Sequence, residues 1–118
     1  MYEIRKTFNF EASHQLDGLP EGHQCARNHG HSYRVELILR SKRLDGNGFV
    51  VDYGKLDKFG DYLEINFDHR FLNDVIFIQP TAENLAEYLF ELAHKWWPEV
   101  VEVRVSETQK TWASFYIE

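Results

Sequence analysis

Tyr2-Glu3-Ile4-Arg5-Lys6-Thr7-Phe8-Asn9-Phe10-Glu11-Ala12-Ser13-His14 alternates along its whole length. Tyr2, Ile4, Phe8, Phe10, Ala12 and His14 fall on one side, with Lys6 the one misfit among them. Glu3, Arg5, Thr7, Asn9 and Glu11 fall on the other. Successive side chains point to opposite faces of a strand, so this is the pattern of a half-buried strand. His14 continues the apolar series and points where the rings point.

The pattern breaks after His14. Asp17-Gly18, Pro20 and Gly22 are turn residues, and the loop they make carries His23 and Cys25. Alternation resumes with His31, Tyr33, Val35, Leu37 and Leu39 against Ser32, Arg34, Glu36 and Arg40. The two runs are similar in length and can pair as an antiparallel ribbon closed by the loop. That register sets His14 opposite His29 and His31, and directly opposed Cβ atoms sit about 5 Å apart. A lone histidine is most often a satisfied core or surface residue, and His-x-His alone is a weak signal. Cys25-Ala26-Arg27-Asn28-His29-Gly30-His31 with a third imidazole on the partner strand is a stronger one. Three histidines without an obligatory fourth ligand suit a zinc site that keeps a position open. Cys25 reads in two ways: as a base, since a thiolate is favoured beside a cation, or as a fourth ligand closing a structural site.

Downstream, residues 44–48 form a turn, residues 49–51 a short extended piece, and residues 53–66 a helix with Leu56, Phe59 and Leu63 at helical spacing. Gly60 weakens that helix by about 1 kcal/mol relative to Ala. Residues 68–74 read as a polar connector. Its Asp68-His69 pair is either a proton relay, in which a carboxylate orients an imidazole, or a turn rich in such residues as turns are. Pro80-Thr81 opens the clearest helix, with Thr81 as N-cap, Glu83 in the first turn and Leu85, Leu89, Leu92 and Trp96 as its stripe. Pro98 ends it, and His94 lies off the stripe and reads as surface. Val101, Val103 and Val105 then alternate with Glu102, Arg104 and Ser106, which places Glu107 on the valine face. A carboxylate there is costly unless it meets donors. It either accepts the paired N–H groups of an amidine- or guanidine-like ligand edge or turns to solvent. Residues 111–118 make the last strand. The order β-β-α-α-β-β implies an α+β fold, a four-stranded antiparallel sheet with two helices on one face.

A chain of 118 residues suits one domain, residues 1–118. The formal charge of −6 argues against nucleic acid, whose phosphates need a basic stripe. Aromatic residues at 15% are abundant enough to suggest that some are buried between subunits. The single Cys25 forms no intrachain disulfide. The N-terminus has no run like a signal peptide, and no stretch approaches the roughly 18 apolar residues of a membrane span. A soluble cytoplasmic protein with no membrane partner is the expectation.

Taken together, F-E-A-S-H-Q-L (residues 10–16), C-A-R-N-H-G-H (25–31), D-H-R-F-L-N-D (68–74), P-T-A-E-N-L-A (80–86) and S-E-T (106–108) resemble the 6-pyruvoyltetrahydropterin synthase family. The resemblance runs through nearly the whole chain. The three residues between Cys25 and His29 look like the bacterial 6-carboxytetrahydropterin synthases of queuosine biosynthesis. The resemblance implies the tunnelling fold, with subunits closed side by side into a barrel, commonly a homo-hexamer of two trimers with active sites between subunits. It implies zinc on His14, His29 and His31, Cys25 as the base, and Asp68 and His69 as its relay. It implies Glu107 as the anchor of the pterin ring, with Thr108 alongside. The implied substrate is 7,8-dihydroneopterin triphosphate, and the carboxy enzymes release acetaldehyde as well as triphosphate. The alternatives are a 6-pyruvoyltetrahydropterin synthase that only eliminates triphosphate, a non-catalytic pterin- or zinc-binding module, and a zinc hydrolase. Gln15 departs from the Arg of many relatives, and Arg27 and His23 are the candidates for the triphosphate.

Overall fold

The computed structural model describes residues 1–118. Two long strands, β1 (Tyr2–His14) and β2 (His29–Ser41), pair antiparallel without a break from Tyr2 opposite Ser41 to His14 opposite His29. Helix α1 (Asp57–Asn66), a short β3 (Arg70–Phe71), helix α2 (Ala82–Trp96), β4 (Val100–Thr108) and β5 (Thr111–Tyr116) follow. The sheet order is β3-β1-β2-β4-β5. This is the expected α+β class with one correction: the sheet has five strands and is mixed, because β3 pairs parallel to Ala12 and Ser13 of β1. Its cause is local. The Glu11 N–H donates to Asp68 Oδ1 at 2.8 Å, and the His69 N–H donates to the Glu11 carbonyl at 2.6 Å. The connector is thereby pinned along the free edge of β1, with His69 in the left-handed region at φ 58°.

Both helices cover the apolar face of the sheet. Phe10, Tyr33, Val35, Leu37, Val103 and Val105 meet Phe59 and Leu63 of α1 and Leu85, Leu89 and Phe90 of α2 in one buried cluster. Lys6 fits its apolar neighbours because Nζ donates to Asp57 Oδ1 at 2.6 Å and to the Tyr53 carbonyl at 3.1 Å. The first helix starts as a 3-10 turn, Tyr53–Leu56, capped by Asp52, which accepts from the Gly54 N–H at 2.9 Å. In α2 the Thr81 hydroxyl caps the Asn84 N–H as the sequence suggests. Its buried stripe is Leu85, Ala86, Leu89, Phe90 and Ala93, with Leu92 and Trp96 at the margin. His94 is not a free surface residue: it is half-buried, its ring stacks on Phe90 with centroids 5.2 Å apart, and Nδ1 donates to the Val100 carbonyl at 2.9 Å. Residues four apart meet on a helix, which is why His94 reaches Phe90. The opposite sheet face is an ion-pair lattice running Arg40–Glu3–Arg5–Glu36–Arg104–Glu102. No helix is long and apolar enough to cross a membrane.

Gly60 has a packing reason. A Cβ there would stand 3.1 Å from Cδ1 and Cε1 of Phe8, which itself packs edge-on to Phe59 at 5.2 Å. Gly60→Val is therefore expected to cost about 1–3 kcal/mol by overpacking. Gly60→Ala is expected to stay within about 1 kcal/mol, because better helix propensity offsets the tighter contact. Urea unfolding of the two variants measures both effects.

Candidate metal centre and its surroundings

The β1–β2 register brings three imidazoles to one point at the loop end of the ribbon. His14 Nε2 lies 2.9 Å from His29 Nε2 and 3.1 Å from His31 Nε2. One ring nitrogen from each residue falls within 4.8 Å of the others. His14 is 0% exposed, so no solvent reaches it to satisfy its ring. Its Nδ1 donates to the Pro80 carbonyl at 2.6 Å, and His29 Nδ1 donates to the Arg27 carbonyl at 2.6 Å. A carbonyl only accepts, so both Nδ1 atoms carry a proton, and in the neutral, metal-binding form of the rings both Nε2 atoms present lone pairs. Two lone pairs facing each other at 2.9 Å repel unless a cation lies between them. Burial, then the neighbouring His14 and His29, hold the His31 pKa down to about 4. That keeps its ring neutral, which is the metal-binding form. Neighbouring ligand atoms on a tetrahedral zinc with bonds of about 2.0–2.1 Å stand roughly 3.3 Å apart. The donor set and its spacing fit such an ion, and the carbonyls on Nδ1 are the supports that commonly fix ligating histidines.

Glu107 stands across from the cluster. Oε1 lies 3.9 Å from His14 Nε2 and Oε2 lies 3.8 Å from His31 Nε2, so the carboxylate does not turn fully to solvent. It also lines a groove of about 390 Å³ with His23, Thr81 and Trp112. Tyr33, one step along the His31 face of β2, lies beneath. Its ring stacks on Phe10 at 4.8 Å and stands edge-on to His31 at 5.4 Å and to His14 at 6.0 Å. Its hydroxyl is buried without a partner, and burial, then the charge of Glu107, push the phenol far above its usual range. The strand pattern put Tyr33 on the histidine face but gave no sign that its hydroxyl would lack a partner. The Pro80 carbonyl that orients His14 had no sequence signal at all.

The other candidates are held elsewhere. Cys25 sits half-buried in the 3-10 turn Gln24–Ala26 and is not part of the imidazole cluster, which favours the open three-histidine set over a closed one. Its N–H donates to His23 Nδ1 at 3.0 Å, and its carbonyl accepts from the Leu16 N–H at 2.9 Å. Asp68 Oδ2 is 2.9 Å from His69 Nδ1, so the pair is formed. The Glu11 amide, more than His69, holds the Asp68 carboxyl below the usual range. The polar partners of Asp68 and His69 are thus Glu11 and each other, not Cys25. Thr108 lines a different groove from the one beside Glu107, and its hydroxyl meets Thr111 Oγ1 at 3.0 Å across the β4–β5 turn.

The low pKa of His31 gives the centre a pH dependence. The folded chain binds that proton only near pH 4, against an ordinary value of 6.5. Its contribution to stability is complete above about pH 6.5 and is withdrawn as the pH falls toward about 4. Chelator-treated protein is expected to lose thermal stability across that window, with the slope reduced in His31→Asn.

The family model described as 6-pyruvoyl tetrahydropterin synthase matches residues 3–118. A protein of Archaeoglobus fulgidus named as a putative 6-carboxy-5,6,7,8-tetrahydropterin synthase is 37% identical over 89% of this chain and 87% of its own. The 6-carboxy-5,6,7,8-tetrahydropterin synthase of Synechocystis is 37% identical over 98% of this chain and 94% of its own. Among solved structures, the 6-pyruvoyl tetrahydropterin synthase of Caenorhabditis elegans superposes with a TM-score of 0.87 at 25% identity, covering 99% of this chain and 96% of that one. With the histidine cluster, the sheet order and these relatives in agreement, the chain is an enzyme of the 6-pyruvoyl tetrahydropterin synthase family.

Proposed function

We propose that the protein is a zinc-dependent lyase converting 7,8-dihydroneopterin triphosphate to 6-carboxy-5,6,7,8-tetrahydropterin, with release of acetaldehyde and triphosphate. The observation that carries this reading is the convergence of His14, His29 and His31, two of them tautomer-locked, with the Glu107 carboxylate opposite. When bound, zinc supplies Lewis acidity that polarises oxygens on the substrate side chain. His14, His29 and His31 hold it. Glu107 accepts the paired N–H groups of the pterin ring through both oxygens, a bidentate contact that also fixes orientation. Its neighbour Thr108 engages Thr111, so the ring contact falls mainly to Glu107. Cys25 would remove a proton from the side-chain carbon, a role that needs the thiolate form of its side chain. Asp68 orients His69, which takes the proton onward. In the arrangement that the family resemblance implies, this relay meets the Cys25 of a neighbouring subunit; within its own chain Asp68 and His69 bond to Glu11 and to each other. A homo-hexamer of two trimers supplies that arrangement.

The chain's similarity to the nematode 6-pyruvoyl enzyme favours a second reading, elimination of triphosphate alone. Incubation with dihydroneopterin triphosphate separates the two, since acetaldehyde and a carboxypterin form only under the first. Cys25→Ala is expected to retain one zinc per chain while turnover falls at least about 10²-fold, the usual scale of general-base catalysis. Loss of the metal in that variant would support a closed structural site instead. Turnover unchanged from the wild type would support a hydrolase that needs no thiol.

A further inference from the structure

If Glu107 anchors the pterin ring, as proposed above, it needs another resting place when no pterin is present. No Lys or Arg pairs with this carboxylate; the imidazoles of His14 and His31 are its neighbours. It lies on the valine face of β4, with Val105 and Val103 fully buried along the same side. A carboxylate in such a place costs free energy until a cation or a set of donors meets it. Its two oxygens face two different imidazoles. One is 3.9 Å from His14 and the other 3.8 Å from His31. Both distances exceed by about half an ångström the roughly 3.3 Å between neighbouring ligand atoms in a tetrahedral zinc shell, so the carboxylate stands just outside the three-imidazole set.

We propose that Glu107 is a resting ligand, completing the metal shell of His14, His29 and His31 until the pterin ring draws it away. The two duties exclude each other. A carboxylate accepting two parallel N–H groups uses both oxygens, so an oxygen on the ion is unavailable to the ring. Anchoring of the ring therefore opens a coordination position for the substrate side chain, and a metal centre without its ring stays closed to other ligands. The linkage is reciprocal: what the ring takes from the ion in affinity, the ion takes from the ring.

The test uses full-length protein stripped by chelation and reloaded with Co²⁺, whose visible spectrum reports coordination. The probe is unsubstituted pterin, which has the N–H edge but no side chain to reach the ion. Pterin is expected to change the wild-type Co²⁺ spectrum. Glu107→Gln is expected to start from a different spectrum, to stay unchanged on adding pterin, and to bind Co²⁺ roughly 10–100-fold more weakly. Glu107→Asp keeps the charge but withdraws the oxygens by one methylene, and it is expected to shift the resting spectrum too. It carries the test if circular dichroism shows Glu107→Gln unfolded. Co²⁺ spectra and affinity unchanged in both variants would overturn the resting-ligand role. Pterin binding, followed by its fluorescence, is read separately. If it falls in Glu107→Gln while the Co²⁺ spectrum does not change, the switch fails and the anchor stands. If it is unchanged, the anchor reading fails and the ligand exchange fails with it.

Discussion

The unbroken antiparallel pairing of β1 with β2 governs the rest of the molecule. Because side chains alternate, a slip of one residue would send every ring of the apolar face to the solvent side. Phe10, Tyr33, Val35 and Leu37 are buried against two helices, so that slip is excluded by the same contacts that build the core. The register continues past the core to its last pair, His14 opposite His29. The position of the imidazoles is thus set by hydrophobic burial several residues away.

Convergence alone would be unfavourable. A buried imidazole needs partners for both nitrogens, and His14 has one carbonyl and two other imidazoles. The Pro80 carbonyl comes from the segment just before α2, so docking of that helix also fixes the tautomer of His14. The Arg27 carbonyl does the same for His29 from the loop. Fold and site are therefore coupled through two backbone oxygens, and a bound cation would relieve the remaining lone-pair repulsion.

The long features were legible because they have long periods. Thirteen-residue strands with clean alternation announce their faces, and the histidine cluster follows from the faces plus a closing loop. The Thr81 cap and the stripe of α2 were legible for the same reason. The fifth strand was not, because Arg70–Phe71 is too short for alternation and is held by Asp68 and His69 bonding to Glu11. His94 was misplaced because a stripe drawn through Leu92 and Trp96 is rotated away from the one that is buried. The unpaired hydroxyl of Tyr33 and the contact of Gly60 with Phe8 depend on distances between separate elements, which no local pattern encodes. Glu107 was visible as a charge on a valine face; that it turns toward His14 and His31 was not.

On this proposal three imidazole nitrogens, and no sulfur, hold one metal ion. X-ray absorption at the zinc edge, on protein purified without added ligand, tests it most directly. One zinc per chain is expected, with a shell of nitrogen and oxygen scatterers at about 2.0–2.2 Å and the outer-ring signature of three imidazoles. A sulfur scatterer at about 2.3 Å, or the absence of stoichiometric metal from protein that remains folded and active, would contradict it.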